Sequence, residues 1–260
     1  VAPLDSRLRC DRASCRALGG EQPMSSSTEI LDMYADYYAD GAVAEKRSIA
    51  ARQTVRHIRQ LTGPQTFKSV IDIGAGEGAV ISELSAGKFA NSFAAVEISQ
   101  SGVDAIKSRN LPSLSAVDQF DGYTIPHADK SFDLALAVHV LEHVEHERMF
   151  LYEARRVSRK LYIEVPLELT ADLDKSIRQS GPYGHINFYT RGSFENLLKT
   201  CGFKVEAIKV FAHDIEYEQH LSGKAKGWLK YQIRQNFLKI APKTAVRNMV
   251  YMAGALCSAE

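Results

Sequence analysis

The sequence predicts an α/β protein built on a doubly wound, mostly parallel sheet. Three observations carry this expectation. From residue 69 onward, short segments rich in β-branched residues alternate with helical stretches, the pattern of a parallel sheet covered on both faces. The first of those segments runs straight into a glycine-rich turn, Val70-Ile71-Asp72-Ile73-Gly74-Ala75-Gly76-Glu77-Gly78, which opens a helix. The chain of 260 residues is 45% hydrophobic and 24% charged, enough for one large, well-buried core with room for elaborations.

Taken in order, residues 1–23 hold Arg7, Arg9, Arg12 and Arg16 but no apolar stretch resembling a secretory signal, and Asp5 and Asp11 count against a transit peptide. They read as a disordered extension, or as a misplaced start ahead of Met24. Ser25 to Glu29 form a plausible helix cap. Ile30, Leu31, Tyr34, Tyr37 and Tyr38 then recur at helical spacing, and a second helical stretch covers 44–59. Residues 24–63 are therefore expected to form an N-terminal helical cap, which Gly63-Pro64 ends.

The domain proper is expected over 64–260. Strands are predicted at 69–73, 93–98, 115–117, 132–138 and 161–165, with helices at 78–86, 100–108 and 145–158. A polar, glycine-containing loop follows over 167–190, then a helix at 192–201, a strand at 204–211 and a last strand within 248–257.

The net charge of +1 removes the overall basic field that marks many nucleic-acid binders. Cys10, Cys15, Cys201 and Cys257 match neither a metal-ligand spacing nor a disulfide scaffold, so reduced thiols in a cytoplasmic compartment are expected. No run approaches the ~18 apolar residues of a membrane span. One segment departs from the even charge balance. Between His220 and Ala259 there is no acidic residue, while Lys224, Lys226, Lys230, Arg234, Lys239, Lys243 and Arg247 are basic. Leu229, Ile233, Phe237 and Ile240 make an apolar stripe at helical spacing. This basic amphipathic segment, 215–245, either packs on the domain with a solvated edge or meets an anionic membrane surface, peripherally, through 224–247.

The chemistry begins at the glycine turn. Glycines at 74, 76 and 78 let the chain turn sharply and let a ligand approach the backbone, while the following helix directs free N–H groups at it. Gly74-x-Gly76-x-x-Ala79 also fits a dinucleotide fingerprint. Glu97, about 20 residues on at the end of the second strand, suits ribose hydroxyls. Both signals define a nucleoside site without choosing its cofactor.

The choice comes from elements further on: Phe120-Asp121-Gly122-Tyr123-Thr124-Ile125-Pro126, Asp129-Lys130-Ser131-Phe132-Asp133, His139-Val140-Leu141-Glu142-His143-Val144 and Gly184-His185-Ile186-Asn187-Phe188-Tyr189-Thr190. In this order they resemble the class I S-adenosylmethionine-dependent methyltransferases, in particular the bacterial small-molecule and sugar group with an LEHV turn. The resemblance implies a Rossmann-like sheet of seven strands with an N-terminal helical lid and a helical insertion near the C-terminus. It implies that Asp72, Gly74, Ala75, Gly76 and Gly78 surround the methionine part of S-adenosyl-L-methionine. Glu97 and the adjoining Ile98 would hold the ribose side. Asp121 would meet the adenine amine, with Gly122 beside the ring, and His139 would lie at the floor of the site. Asp118 competes for the adenine role; Asp121 keeps the family's spacing to Ile125-Pro126. Tyr34, Tyr37 and Tyr38 are candidate lid residues or plain core.

His139 and His185 are the candidates for catalytic work on an acceptor hydroxyl, since histidine titrates near neutrality. No metal site is expected. His139, His143 and His146 fall close to helical spacing, but the resemblance sets them on a turn and a helix start where they need not face one point. The reading is thus methyl transfer to a small-molecule or saccharide acceptor, anionic or lipid-linked ones included, at oxygen. RNA methylation, nicotinamide-dependent oxidoreduction and a non-catalytic cofactor-binding module are the alternatives.

Overall fold

In the computed structural model the described residues are 41–180 and 184–259. The elements are α1 (Gly41–Thr62), β1 (Phe67–Ile73), α2 (Ala79–Ala86), β2 (Ala90–Glu97), α3 (Gln100–Ser108), β3 (Leu114–Gln119), β4 (Phe132–Val138), a 3₁₀ turn (Leu141–His143), α4 (Glu147–Val157), β5 (Ser158–Pro166), α5 (Leu173–Ser180), α6 (Arg191–Thr200), β6 (Phe203–Phe211), α7 (Ile215–Ser222), α8 (Lys224–Ile240), α9 (Pro242–Asn248) and β7 (Met252–Ala259).

Seven strands form one sheet in the order β3-β2-β1-β4-β5-β7-β6. The pairs among β1 to β5 are parallel, and β7 runs antiparallel to both β5 and β6. This is the mostly parallel sheet that the alternating pattern predicts, and the seven-stranded Rossmann-like sheet that the resemblance implies. Ile71, Ala135, Leu161 and Ile163 belong to the core on one face of the sheet. Val70, Leu134, Leu136 and Tyr162 belong to the core on the other. The central strands are apolar almost throughout because both of their faces are covered.

The strand positions follow the prediction, usually with two or three further residues at one end. Two segments differ in kind. The stretch 167–190, expected as a loop, contains the helix α5. Its buried residues are Ser176 and Ser180, so it carries no apolar periodicity to announce it, and Ser180 Oγ satisfies itself on the Ser176 carbonyl.

The basic segment is three helices, broken at Gly223, which has a φ of 78°, and at Ala241-Pro242. The helix α8 packs through Gly227, Arg234, Phe237 and Leu238, so that of the predicted stripe only Phe237 is seated. The Arg234 guanidinium lies 5.0 Å over the Tyr251 ring and 3.4 Å from Glu218. Leu229, Ile233 and Ile240 are exposed. No helix among the described residues is long and apolar enough to cross a membrane. Residues 1–23, the start of the cap and Tyr34, Tyr37 and Tyr38 lie outside the described residues.

Candidate active site

The strand order reverses between β1 and β4, and a doubly wound sheet opens a crevice at the carboxyl ends of its strands at such a point. Residues 74–78 follow β1, Glu97 ends β2, Asp121 follows β3 and His139 follows β4. Four predicted groups, scattered over almost 70 residues, therefore meet at one edge.

Gly74, Gly76 and Gly78 all have positive φ. Gly74 is also fixed by crowding, since a β-carbon there would stand 2.6 Å from Val140 Cγ2. Asp72, at the end of β1, is buried, and its carboxyl is pushed up to about 7 by burial and then by the neighbouring Glu97 charge. A buried carboxylate in this condition calls for a cation beside it, and the ammonium of the cofactor's methionine part is one.

Glu97 is buried and already organised by the backbone. Its Oε2 accepts from Gly76 N–H at 2.8 Å, and its Oε1 accepts from Ser99 N–H at 3.1 Å. The Ser99 hydroxyl, 3.2 Å from Oε1, also accepts from Gly102 N–H as the cap of α3. A carboxylate offers about four acceptor positions, so Oε2 keeps one for a ribose hydroxyl and a second hydroxyl would have to share Oε1 with Ser99. Gly102 permits this packing, because a β-carbon would sit 2.7 Å from Glu97 Cγ.

Asp121 accepts Tyr123 and Thr124 N–H through Oδ1, at 2.8 and 2.6 Å, and these bonds hold its carboxyl below the usual carboxylate range. Its Oδ2 is the acceptor suited to an adenine amine. A β-carbon on Gly122 would lie 3.9 Å from Ile98 Cγ2, so Ile98 and Gly122 stand together as the apolar neighbours of a ring. Asp118 instead faces His127, at 3.4 Å. The residues present fit S-adenosylmethionine group by group.

His139 has a left-handed backbone, φ 53°, and its N–H donates to the Glu164 carbonyl at 3.0 Å. Its Nδ1 is 3.2 Å from Glu142 Oε1 and its Nε2 is 3.4 Å from Glu164 Oε1. Both carboxylates are buried, whereas the histidine side chain remains 41% exposed toward the cleft. Burial pulls the imidazole down, but the two carboxylates outweigh it and lift its pKa to about 10. The two carboxylates favour the protonated imidazole of His139, which makes it a poorer proton acceptor than an ordinary histidine. Glu164 also accepts from Tyr162 Oη at 2.5 Å and contacts His57 Nδ1 at 2.9 Å, which ties α1 to the floor of the site.

The segment 184–190 closes on the 3₁₀ turn. Ile186 and Asn187 N–H donate to the Glu142 carbonyl, and Asn187 Nδ2 donates to the Leu141 and Val144 carbonyls. This clamp seats His185 against His143, with ring centroids 4.8 Å apart at 88°. His185 Nδ1 lies 2.7 Å from Glu168 Oε2. His143 Nδ1 faces the Gly184 carbonyl at 3.2 Å, and burial lowers the His143 pKa. The pair that meets is His143 and His185, which the sequence analysis did not join. The returning loop, and not helical spacing, brings them together. His146 lies apart, beside Tyr123. Ser99, Gly102, Glu142, Glu164 and Glu168 were not singled out in the sequence. Of these only Glu142 sat inside a visible motif.

Comparisons with known proteins identify the family. The chain belongs to the methyltransferase-domain family, whose model matches residues 30–208. It is 25% identical to the O-methyltransferase cnsE of Penicillium expansum, over 92% of this chain and 90% of that one. It is 33% identical to a phthiotriol/phenolphthiotriol dimycocerosates methyltransferase of Mycobacterium tuberculosis over 35% of this chain and 34% of that one. A SAM-dependent methyltransferase of Thermotoga maritima superposes with a TM-score of 0.57 at 15% identity, covering 89% of this chain and all of the other. The protein is a SAM-dependent methyltransferase of the class I fold, and the oxidoreductase alternative falls away.

Proposed function

We propose that the protein methylates a hydroxyl oxygen of a small molecule with an apolar body. The observation that carries this reading is the corner formed by Glu142, His143, His185 and Glu168 beside His139. A neutral hydroxyl is a poor nucleophile until its proton leaves, and this corner holds the groups able to ease that loss. When bound, S-adenosylmethionine supplies an activated methyl group on its sulfonium. The protein's part is then to align the acceptor, which is worth at most about 7–11 kcal/mol for a well-oriented reaction. His139, held by its Nδ1 contact with Glu142 Oε1 and by its backbone N–H on the Glu164 carbonyl, forms the floor on which the acceptor rests; it is a positioning residue in this account.

Leu169 and Ile186 are exposed large apolar side chains on the segments that carry Glu168 and His185. They favour an aromatic or lipid-like acceptor over a bare saccharide. The names of the two relatives, an O-methyltransferase and a phthiotriol/phenolphthiotriol dimycocerosates methyltransferase, support a small-molecule acceptor.

The test is transfer of labelled methyl from S-adenosylmethionine to a panel of phenols, apolar alcohols, sugars, amines and RNA. Label is expected in hydroxylated apolar compounds. His185→Ala should lower turnover of the best acceptor by about 100-fold or more, with affinity for S-adenosylhomocysteine within about twofold of the wild type. Label only in amines or RNA, or full turnover in the variant, would refute the proposal.

A further inference from the structure

We propose that Glu142, His143 and His185 form a binding site for one divalent transition-metal ion of the zinc type. A carboxylate oxygen of Glu142 and one ring nitrogen of each histidine lie within 4.8 Å of one another. Two imidazoles and a carboxylate are the donor set of three-ligand zinc sites, which keep a further position open. Ligand atoms around zinc stand about 3.3 Å apart at metal–nitrogen distances near 2.0–2.1 Å, a contraction that modest side-chain rotation supplies.

Two independent features point to an ion. The first is an orphan. Glu142 is 1% exposed; its Oε1 is held by His139, while Oε2 is buried without a hydrogen-bond partner. A buried carboxylate oxygen left in this state is costly, and a cation would satisfy it. The second is the orientation of the histidines. The Nδ1 of His143 faces the Gly184 carbonyl and that of His185 faces the Glu168 carboxylate. In each ring the Nδ1 therefore carries the proton, and the lone pair falls on Nε2. A carboxylate or carbonyl behind the ring is the outer arrangement that fixes the tautomer of metal-binding histidines.

The ion would sit where the acceptor corner has been placed. Its use in polarising an acceptor hydroxyl, so that the proton is shed to solvent as the oxygen takes the methyl group and S-adenosylhomocysteine is left, rests on the oxygen-methylation reading. The binding site itself does not.

The experiment is a calorimetric titration of chelator-treated, dialysed protein with Zn²⁺. Co²⁺ serves as a spectroscopic stand-in, and S-adenosylhomocysteine is titrated in parallel. One equivalent of Zn²⁺ should bind at micromolar concentration or below, and Co²⁺ should develop visible absorption bands. His143→Ala and Glu142→Gln should each weaken Zn²⁺ by at least about 100-fold. Glu168→Gln, which removes only an outer partner, should weaken it by about 10–100-fold. Retained S-adenosylhomocysteine binding in the variants certifies their fold. Wild-type protein that binds S-adenosylhomocysteine but takes up neither metal, or metal affinity unchanged in His143→Ala, overturns the site. Metal uptake with label transferred only to amines or RNA would leave the site standing and sink the acceptor reading instead.

Discussion

At the scale of single residues, the site is governed by where buried carboxylates find their partners. Asp72 and Glu97 lie together at the ends of β1 and β2, but only Glu97 is neutralised by N–H groups. Asp72 is left with a carboxyl at about 7. A bound ammonium favours its ionised form, so affinity for S-adenosylhomocysteine should rise with pH up to about 7. Below that, it should fall by up to about tenfold per pH unit as Asp72 protonates. In Asp72→Asn binding should be weak and flat over the same range. Calorimetry between about pH 5.5 and 7.5 checks this, and a wild-type affinity independent of pH would remove Asp72 from the ammonium site. Asp72, Glu97 and the glycines were legible in the sequence because each sits at a strand end where the turn chemistry is local. The partners of His139 were not. Glu164 reaches His57 across 107 positions, and no spacing rule connects them.

At the scale of elements, strands were easier to read than the segments between β5 and β7. The central strands are continuous apolar runs, whereas α5 buries serines and α8 is seated by one close approach, one arginine and the short apolar pair Phe237-Leu238. That approach is Gly227, where a β-carbon would lie 2.4 Å from Gln219 Cα and 2.5 Å from the Glu218 carbonyl oxygen. Alanine is the better helix former by about 0.8–1.0 kcal/mol, yet here it would force α7 and α8 apart, at a cost of about 1–3 kcal/mol or more. The clash outweighs the propensity. Gly227→Ala is therefore expected to lower the melting temperature by several degrees without changing cofactor affinity, since α8 contributes no group to the cleft described above. An unchanged or raised melting temperature would show that α7 and α8 are not closely seated. The same packing leaves most of the apolar stripe at 229–240 exposed, with Phe237 alone turned to the domain. Helical periodicity identified the amphipathic face, but the docking face was chosen by a glycine and by Arg234 over Tyr251.

At the scale of the whole molecule, the order of the strands places the glycine turn and His139 on either side of the switch point. The returning segment 184–190 then completes the acceptor corner. Everything in this arrangement presupposes that the cleft between β1 and β4 receives S-adenosylmethionine. The most direct test is calorimetric titration of the purified protein with S-adenosylhomocysteine, with NADH as the parallel ligand. One equivalent of S-adenosylhomocysteine should bind with micromolar affinity, and at a hundredfold excess over its Kd it should add about 2.7 kcal/mol of stability. NADH should not bind. Binding of NADH in its place, or of neither ligand, would contradict the account.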